Sequence, residues 1–149
     1  VAEMVSFSLS DARLHDVRIR AVLGAGLPEV SLDRIQVQQI ILNLLRNGIE
    51  ALEQCPAPDR EIVVSTTLEN ADTVSISVQD SGNGVPDEVV ARIFDPFCTT
   101  KETGTGLGLA ISRTIAEAHR GKLVYEPLPG VPGARFVLRL PCEPLNGEN

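Results

Sequence analysis

The stretch FDPFCTTKETGTGLGLAI, residues 94–111, decides how this chain is read. Gly104, Gly106 and Gly108 alternate with Thr105 and Leu107, and an apolar run of helical character follows at once. Glycine costs about 1 kcal/mol relative to alanine inside a helix, so three of them at a helix start need a reason. Free backbone leading into a helix N-terminus presents unpaired N–H groups and the positive end of the helix dipole, which together hold phosphate. Thr103 and Thr105 add hydroxyl donors, and Lys101 adds a positive charge. The two familiar phosphate wordings fail. No GxxxxGK[ST] is present, and a dinucleotide pattern would need Gly or Ala where Leu109 and Ile111 stand. Taken alone, the segment fits a plain flexible loop as well as a phosphate-facing one.

Outward from that stretch, the spacing predicts a helix over about 107–119 ended by Gly121, then strands over KLVYEPL and ARFVLRLP around a Pro/Gly-rich turn. On the other side, Pro86 opens a short helix to about Arg92, after the loop SGNGVP. EIVVSTTLE (61–69) and TVSISVQD (73–80) form a hairpin across Asn70–Ala71–Asp72, and VRIRAVL (17–23) alternates as a strand. Residues 1–16 read as the end of a helix that enters the domain. Strands joined by short turns pair antiparallel. The expected class is therefore α+β, a two-layer sandwich with helices on one face of a mixed, mostly antiparallel sheet.

The longest helix is expected over about 33–54, opened by Asp33 with Gln36 three residues on. At 100° per residue, Val37, Ile41, Leu44, Leu45 and Leu52 fall on one side. Gln36, Asn43, Asn47 and Glu50 fall nearly opposite. A solvated face explains such a stripe, but solvated faces favour good helix formers, and asparagine is a poor one. Amide oxygens beside a carboxylate suit a hard cation such as Mg²⁺, which keeps waters and shares phosphate ligands. Asp80 ends an apolar strand, so its carboxylate lies at the mouth of the core. An Asx-type turn accounts for Asp-Ser-Gly by itself.

The 149 residues suit one domain with a proper core, and 43% are hydrophobic. A net charge of −7 and the absence of tryptophan argue against a nucleic-acid partner, which needs dense Lys/Arg and stacking aromatics. Cys55, Cys98 and Cys142 are odd in number and widely spaced, so free thiols in a reducing compartment are expected. No run approaches the length of a membrane span. The chain opens on Val1 and not on methionine, which points to a fragment of a longer protein.

NLLRNGIEAL (43–52), DSGNGVP (80–86), IFDPFCTTK (93–101) and GTGLGLAISRTIAEAHRGKL (104–123) resemble, in order and spacing, the N box, first glycine box, F box and second glycine box of sensor histidine kinases. From about Asp33 to Gly121 the chain looks like their catalytic ATP-binding domain, of the GHKL superfamily, with box wording closest to the oxygen- and nitrogen-regulation kinases. The resemblance implies a Bergerat-type sandwich that holds ATP and Mg²⁺ between the asparagine helix and the loop segment. It makes Asn47 the Mg²⁺ ligand, with Glu50 beside it, Asn43 a phosphate-side residue and Asp80 the adenine reader. Gly82 and Gly84 would let backbone approach the base. Phe94 and Phe97 would anchor a lid, and Lys101 would approach phosphates. Gly104, Thr105, Gly106, Leu107 and Gly108 would shape the lid end and the phosphate-facing helix start. Asn43 and Lys101 are the catalytic candidates.

The chain departs from the pattern at Gly48, where alanine is usual, at Cys98, and at Arg120, where a second glycine is frequent. Only His15 and His119 could accept phosphate. His15 lacks an acceptor-box flank, and His119 closes a helix, where a cation meets the dipole. The implied function is to bind Mg-ATP and supply its γ-phosphate to a histidine on a separate dimerisation domain, in a protein histidine kinase. Its partners would be that domain, a response-regulator receiver and a second copy in a cytoplasmic homodimer, with any membrane contact made upstream. Residues 1–149 would be one catalytic domain, and 1–16 the end of a linker helix. A hydrolysing GHKL ATPase would carry a carboxylate at position 43, where an amide cannot take a proton. A nucleotide-binding interaction module without catalysis is the remaining alternative.

Overall fold

The computed structural model describes residues 1, 4–6, 9, 12–13, 15–28, 30, 32–97 and 107–142. Strand β1 (Arg18–Leu23) leads through helix α1 (Arg34–Leu52) and a single 3₁₀ turn (Ala57–Asp59) to β2 (Glu61–Asn70) and β3 (Thr73–Asp80). Helix α2 (Asp87–Val90) and helix α3 (Gly108–Ala118) follow, then β4 (Lys122–Tyr125) and β5 (Arg135–Pro141). The five strands form one sheet in the order β1-β2-β3-β5-β4. β1 runs parallel to β2, and the remaining pairings are antiparallel. The expected mixed, mostly antiparallel sandwich is what forms. Before β1, residues 4–6, 9, 12 and 13 are helical.

Period-2 alternation sorts the strands into two faces. Ile62, Val64, Ile76, Val78, Phe136, Leu138 and Leu123 are buried together with Val37, Ile41, Leu44, Leu45 and Leu52 of α1, the side chains the helical projection turned inward, and with Ile40 beside them. Full burial of each such side chain contributes roughly 1.5–3 kcal/mol. Asp33 is the N-cap of α1, its Oδ1 accepting from the Gln36 N–H at 3.1 Å, as the Asp-x-x-Gln spacing predicts.

Gly48 lies on the buried side of α1. A Cβ built there would come 2.9 Å from Cδ1 of Ile62, which is itself fully buried. Ile62 thus fills the room that an alanine methyl would take.

The other sheet face is polar and yet closed over. Ser65 and Ser77 hydrogen-bond across β2 and β3, and Ser75, Ser77 and Val137 are buried. Beside them Arg139 donates from Nε to both Glu69 oxygens at 2.9 Å, and from its two terminal nitrogens to Glu126 at 2.6 and 2.8 Å. These bidentate, charge-assisted bonds hold the Glu126 carboxyl below its ordinary range.

Arg60 joins the chain's entry to the end of α1. Its guanidinium donates to three main-chain carbonyls, those of Cys55 at 2.9 Å, His15 at 2.6 Å and Glu53 at 2.9 Å. His15 also pairs with the Glu53 carboxylate at 3.2 Å.

One sequence expectation is corrected. His119 does close α3, its Nδ1 bonding the Ile115 carbonyl at 2.8 Å, but its Nε2 accepts from the Asp33 main-chain N–H at 2.9 Å. An accepting Nε2 and a donating Nδ1 belong to the neutral ring, so a cation–dipole contact does not explain this residue. Phe97 is 73% exposed, with a left-handed φ of 66°, and the segment it was expected to anchor lies mostly outside the described residues.

Candidate functional site

The polar stripe of α1 is neither core nor open surface. Asn43, Asn47 and Glu50 are half-buried, whereas Gln36, two turns before Asn43, is exposed. The difference comes from α3, which packs along this part of α1. Asn43 Nδ2 donates to Oγ of Ser112 at 3.0 Å, and a Cβ built on Gly108 would lie 4.0 Å from Asn43 Cγ. The start of α3 therefore lies against the asparagine stripe. Leu107 occupies the N-cap of α3 and makes no side-chain cap there. Its sequence forms a helix from Gly108 onward because Leu109, Ala110 and the residues after them are adequate helix formers with an apolar stripe.

Asp80 ends β3 on the helix-facing side of the sheet and is 6% exposed. Its Oδ1 accepts from the main-chain N–H of Gly82 at 2.9 Å and of Ala134 at 3.2 Å. The Asp-Ser-Gly turn is thus real, and it coexists with burial that a simple surface turn would not need. Gly82 fits between Asp80 and α1, since a Cβ there would stand 3.1 Å from Asp80 Oδ1 and 3.6 Å from the Ala51 carbonyl oxygen. Gly84 has a φ of 77°, which other residues adopt at a cost. A Cβ built on Gly48, one residue past Asn47, would lie 3.7 Å from Asp80 Cβ. Asp80 and Gly82 thus lie against the later part of α1, and Asn43, earlier on the same helix, lies against the start of α3.

Phe94 is half-buried and meets Phe136 edge-on at 6.2 Å, with the Arg113 guanidinium 5.2 Å above its ring. This fixes the start of the segment that leads away from the sheet. Lys101, Gly104, Thr105 and Gly106 lie outside the described residues, as does Cys98.

The sequence did not single out Ser112 or Gly133. Gly133 has a φ of 105°, and a Cβ there would overlap the Asp80 main-chain oxygen and reach within 3.2 Å of Asp80 Oδ1. Its signal was a glycine in the Pro/Gly-rich turn between β4 and β5. Nothing local ties that turn to Asp80.

Among the described residues, no three His, Cys, Asp or Glu side chains gather where a metal could sit, and no helix is long and apolar enough to cross a membrane. The arrangement offers amide groups, one buried carboxylate and a helix start.

Comparison with known proteins gives the same picture. The family profile of histidine kinase-, DNA gyrase B- and HSP90-like ATPases matches residues 32–144. The sensor protein FixL of Bradyrhizobium diazoefficiens is 40% identical over 142 residues, 95% of this chain and 28% of that protein. The C4-dicarboxylate transport sensor protein DctS of Rhodobacter capsulatus is 39% identical over 141 residues, 95% of this chain and 21% of that one. The chain thus spans about a quarter of the length of these relatives. Among solved structures, the catalytic domain of histidine kinase ThkA superposes with a TM-score of 0.81 at 32% identity, covering 96% of this chain and 90% of that one. Full-length ShkA in complex with AMPPNP superposes with a TM-score of 0.82 at 26% identity, covering 96% of this chain and 29% of that one. With its five-stranded sandwich and its buried strand-end aspartate, the chain belongs to the histidine kinase-, DNA gyrase B- and HSP90-like ATPase family, and its fold is that of histidine kinase catalytic domains.

Proposed function

We propose that this chain binds ATP with Mg²⁺ and presents the γ-phosphate to a histidine carried on a separate dimerising helical segment, which passes it to a response-regulator receiver. The observation that carries the reading is the path of α1. It runs past buried Asp80 at Gly48 and meets the start of α3 at Asn43, so one helix links a hydrogen-bond acceptor to an anion-favouring helix end. Asp80 reads the adenine amine. A carboxylate accepts hydrogen bonds, and two main-chain donors already hold its Oδ1 in place at the end of β3. Gly82 and Gly84 keep side chains away from the base. Leu107 and Gly108 face phosphate with Asn43, joined by Gly104, Thr105, Gly106 and Lys101. Phe94 holds the near end of that segment.

The donor set fits Mg²⁺. Asn47, supported by Glu50, supplies an oxygen from a stripe without a dedicated acidic cage, which suits a cation that completes its shell with phosphate and water. Bound there, the cation would neutralise phosphate charge. Phosphoryl transfer otherwise needs positioning and charge stabilisation more than covalent chemistry from the protein. Asn43 cannot accept a proton, which favours transfer over hydrolysis. The AMPPNP complex of the similar ShkA agrees with a nucleotide ligand. Residues 1–149 act as one catalytic domain in the cytoplasm, joined in the whole protein to the dimerisation domain of a homodimer.

Calorimetric titration with ATP, with and without Mg²⁺, tests the reading. The chain is expected to bind ATP more tightly with Mg²⁺, and Asn47→Ala to lose that difference while keeping its fold. Incubated alone with labelled ATP, the chain should neither label itself nor release appreciable phosphate. Vigorous phosphate release would favour the hydrolysing alternative.

A further inference from the structure

Ser112 is fully buried in the interior of α3, where alanine would be the better helix former. Burying a hydroxyl costs free energy unless it is hydrogen-bonded, and its partner is the Asn43 amide, 69 residues earlier in the chain. Gly108 and Ala116 stand one turn before and after it on the same side of α3, so small residues let the two helices approach. An asparagine amide rotates in a broad, two-fold torsional well. Left to itself, Asn43 would present its oxygen and its NH₂ to the nucleotide region in turn. With Nδ2 committed to Ser112 at 3.0 Å, that rotation is set.

We propose that Ser112 is a positioning residue for Asn43, fixing from the first turns of α3 the face that the Asn43 amide turns to the phosphates. This rests on the proposed placing of Asn43 at the phosphates. Ser112 itself need not touch nucleotide. The coupling also gives α3 a means of reporting on α1. A shift of α3 along α1 would release the amide, and the phosphate side of the site would lose its orientation without any ligand residue being changed.

The test uses this chain and four variants: Asn43→Ala, Ser112→Ala, Ser112→Thr and the double variant Asn43→Ala/Ser112→Ala. Calorimetry gives the affinity for Mg-ATP, and two-dimensional NMR follows the Asn43 side-chain NH₂. Loss of one oriented hydrogen bond is expected to weaken Mg-ATP binding in Ser112→Ala by about three- to tenfold. Ser112→Thr, which keeps the hydroxyl, should stay within about twofold of wild type by the same reckoning. The double variant should bind no worse than Asn43→Ala, because the serine acts only through the asparagine. In Ser112→Ala the Asn43 NH₂ resonances should move towards those of a freely rotating amide. Four results would overturn the proposal. Additive losses in the double variant, or a Thr variant as weak as the Ala variant, would make Ser112 merely structural. Wild-type binding by Ser112→Ala beside a weakened Asn43→Ala would end the positioning role and leave the reading of Asn43 standing. Wild-type binding by Asn43→Ala would remove Asn43 from the phosphates, and the positioning role with it.

Discussion

The ring of His119, at the end of α3, accepts the main-chain N–H of Asp33, the residue that caps the start of α1. One side chain thereby ties the end of one helix to the beginning of the other. Its other nitrogen bonds the Ile115 carbonyl at 2.8 Å, so the ring carries its hydrogen on Nδ1. Long-range ¹H–¹⁵N spectra should show that tautomer. His119→Ala should lower stability by about 0.5–1.5 kcal/mol in urea unfolding, because it removes a hydrogen bond that water replaces only in part. A ring protonated on Nε2 in the spectra would contradict the geometry.

Base choice follows from the sign of one hydrogen bond. A carboxylate only accepts, adenine offers an amine at the relevant edge, and guanine offers a carbonyl oxygen. Opposed acceptors in a partly dry pocket give discrimination for ATP over GTP of about tenfold to several hundredfold. Asp80→Asn keeps the size but can turn an NH₂ to the base, so it should weaken ATP and narrow the gap to GTP. Dissociation constants for both nucleotides and both proteins check this. Equal wild-type affinities would reduce Asp80 to a turn residue.

The cover over the polar sheet face predicts an acid-side response. Hydrogen bonds from Arg139, with its charge and that of Arg135, lower the Glu126 pKa from its ordinary value of 4.5. A carboxyl whose folded-state pKa lies below its unfolded value adds stability above the unfolded value and loses it as pH falls through the folded one. Carboxyl ¹³C titration should place Glu126 below 4.5 in the native protein. Arg139→Gln should move it upward and flatten the loss of stability in acid. An unmoved titration would mean that the pair is not formed in solution.

Gly48 and Ile62 divide one volume. Gly48→Ala gains roughly 1 kcal/mol of helix propensity, but it places a methyl 2.9 Å from Ile62 Cδ1 in a packed core. Ile62→Val removes that carbon at a cost of about 0.5–1.5 kcal/mol. The double variant should be more stable than the sum of the two single changes predicts, by on the order of 1 kcal/mol. Strict additivity in a denaturation cycle would show that Ile62 swings aside freely.

Much of this was legible in the chain itself. Alternation in 61–69 and 73–80 made the hairpin visible because each strand has one apolar face, and the inward stripe of α1 was visible because its partner is that apolar sheet face. Asp33, Asn43, Asn47 and Asp80 stood out through residue type at a helix cap, in mid-helix and at a strand end. The hidden parts are those made by chain segments meeting from afar. Gly133 closes on Asp80 from 53 positions away. Ser112 looked like any small helical residue until Asn43 was found against it. His119 read as a cation at a helix end because only its own helix was in view, and its second bond comes from Asp33.

The three carbonyls held by Arg60 have a mechanical consequence. Two belong to the turn that ends α1 and one to the segment that enters the domain, and the arginine sits at the mouth of β2. A pull or twist on the entering segment at His15 is therefore not taken up by a slack joint. It loads Arg60, and through it the end of the helix that carries Asn43, Asn47 and Glu50. With the His15–Glu53 pair beside it, the guanidinium behaves as a rivet through two plates: the stiffness of that joint governs how far a displacement at His15 reaches α1 as rotation.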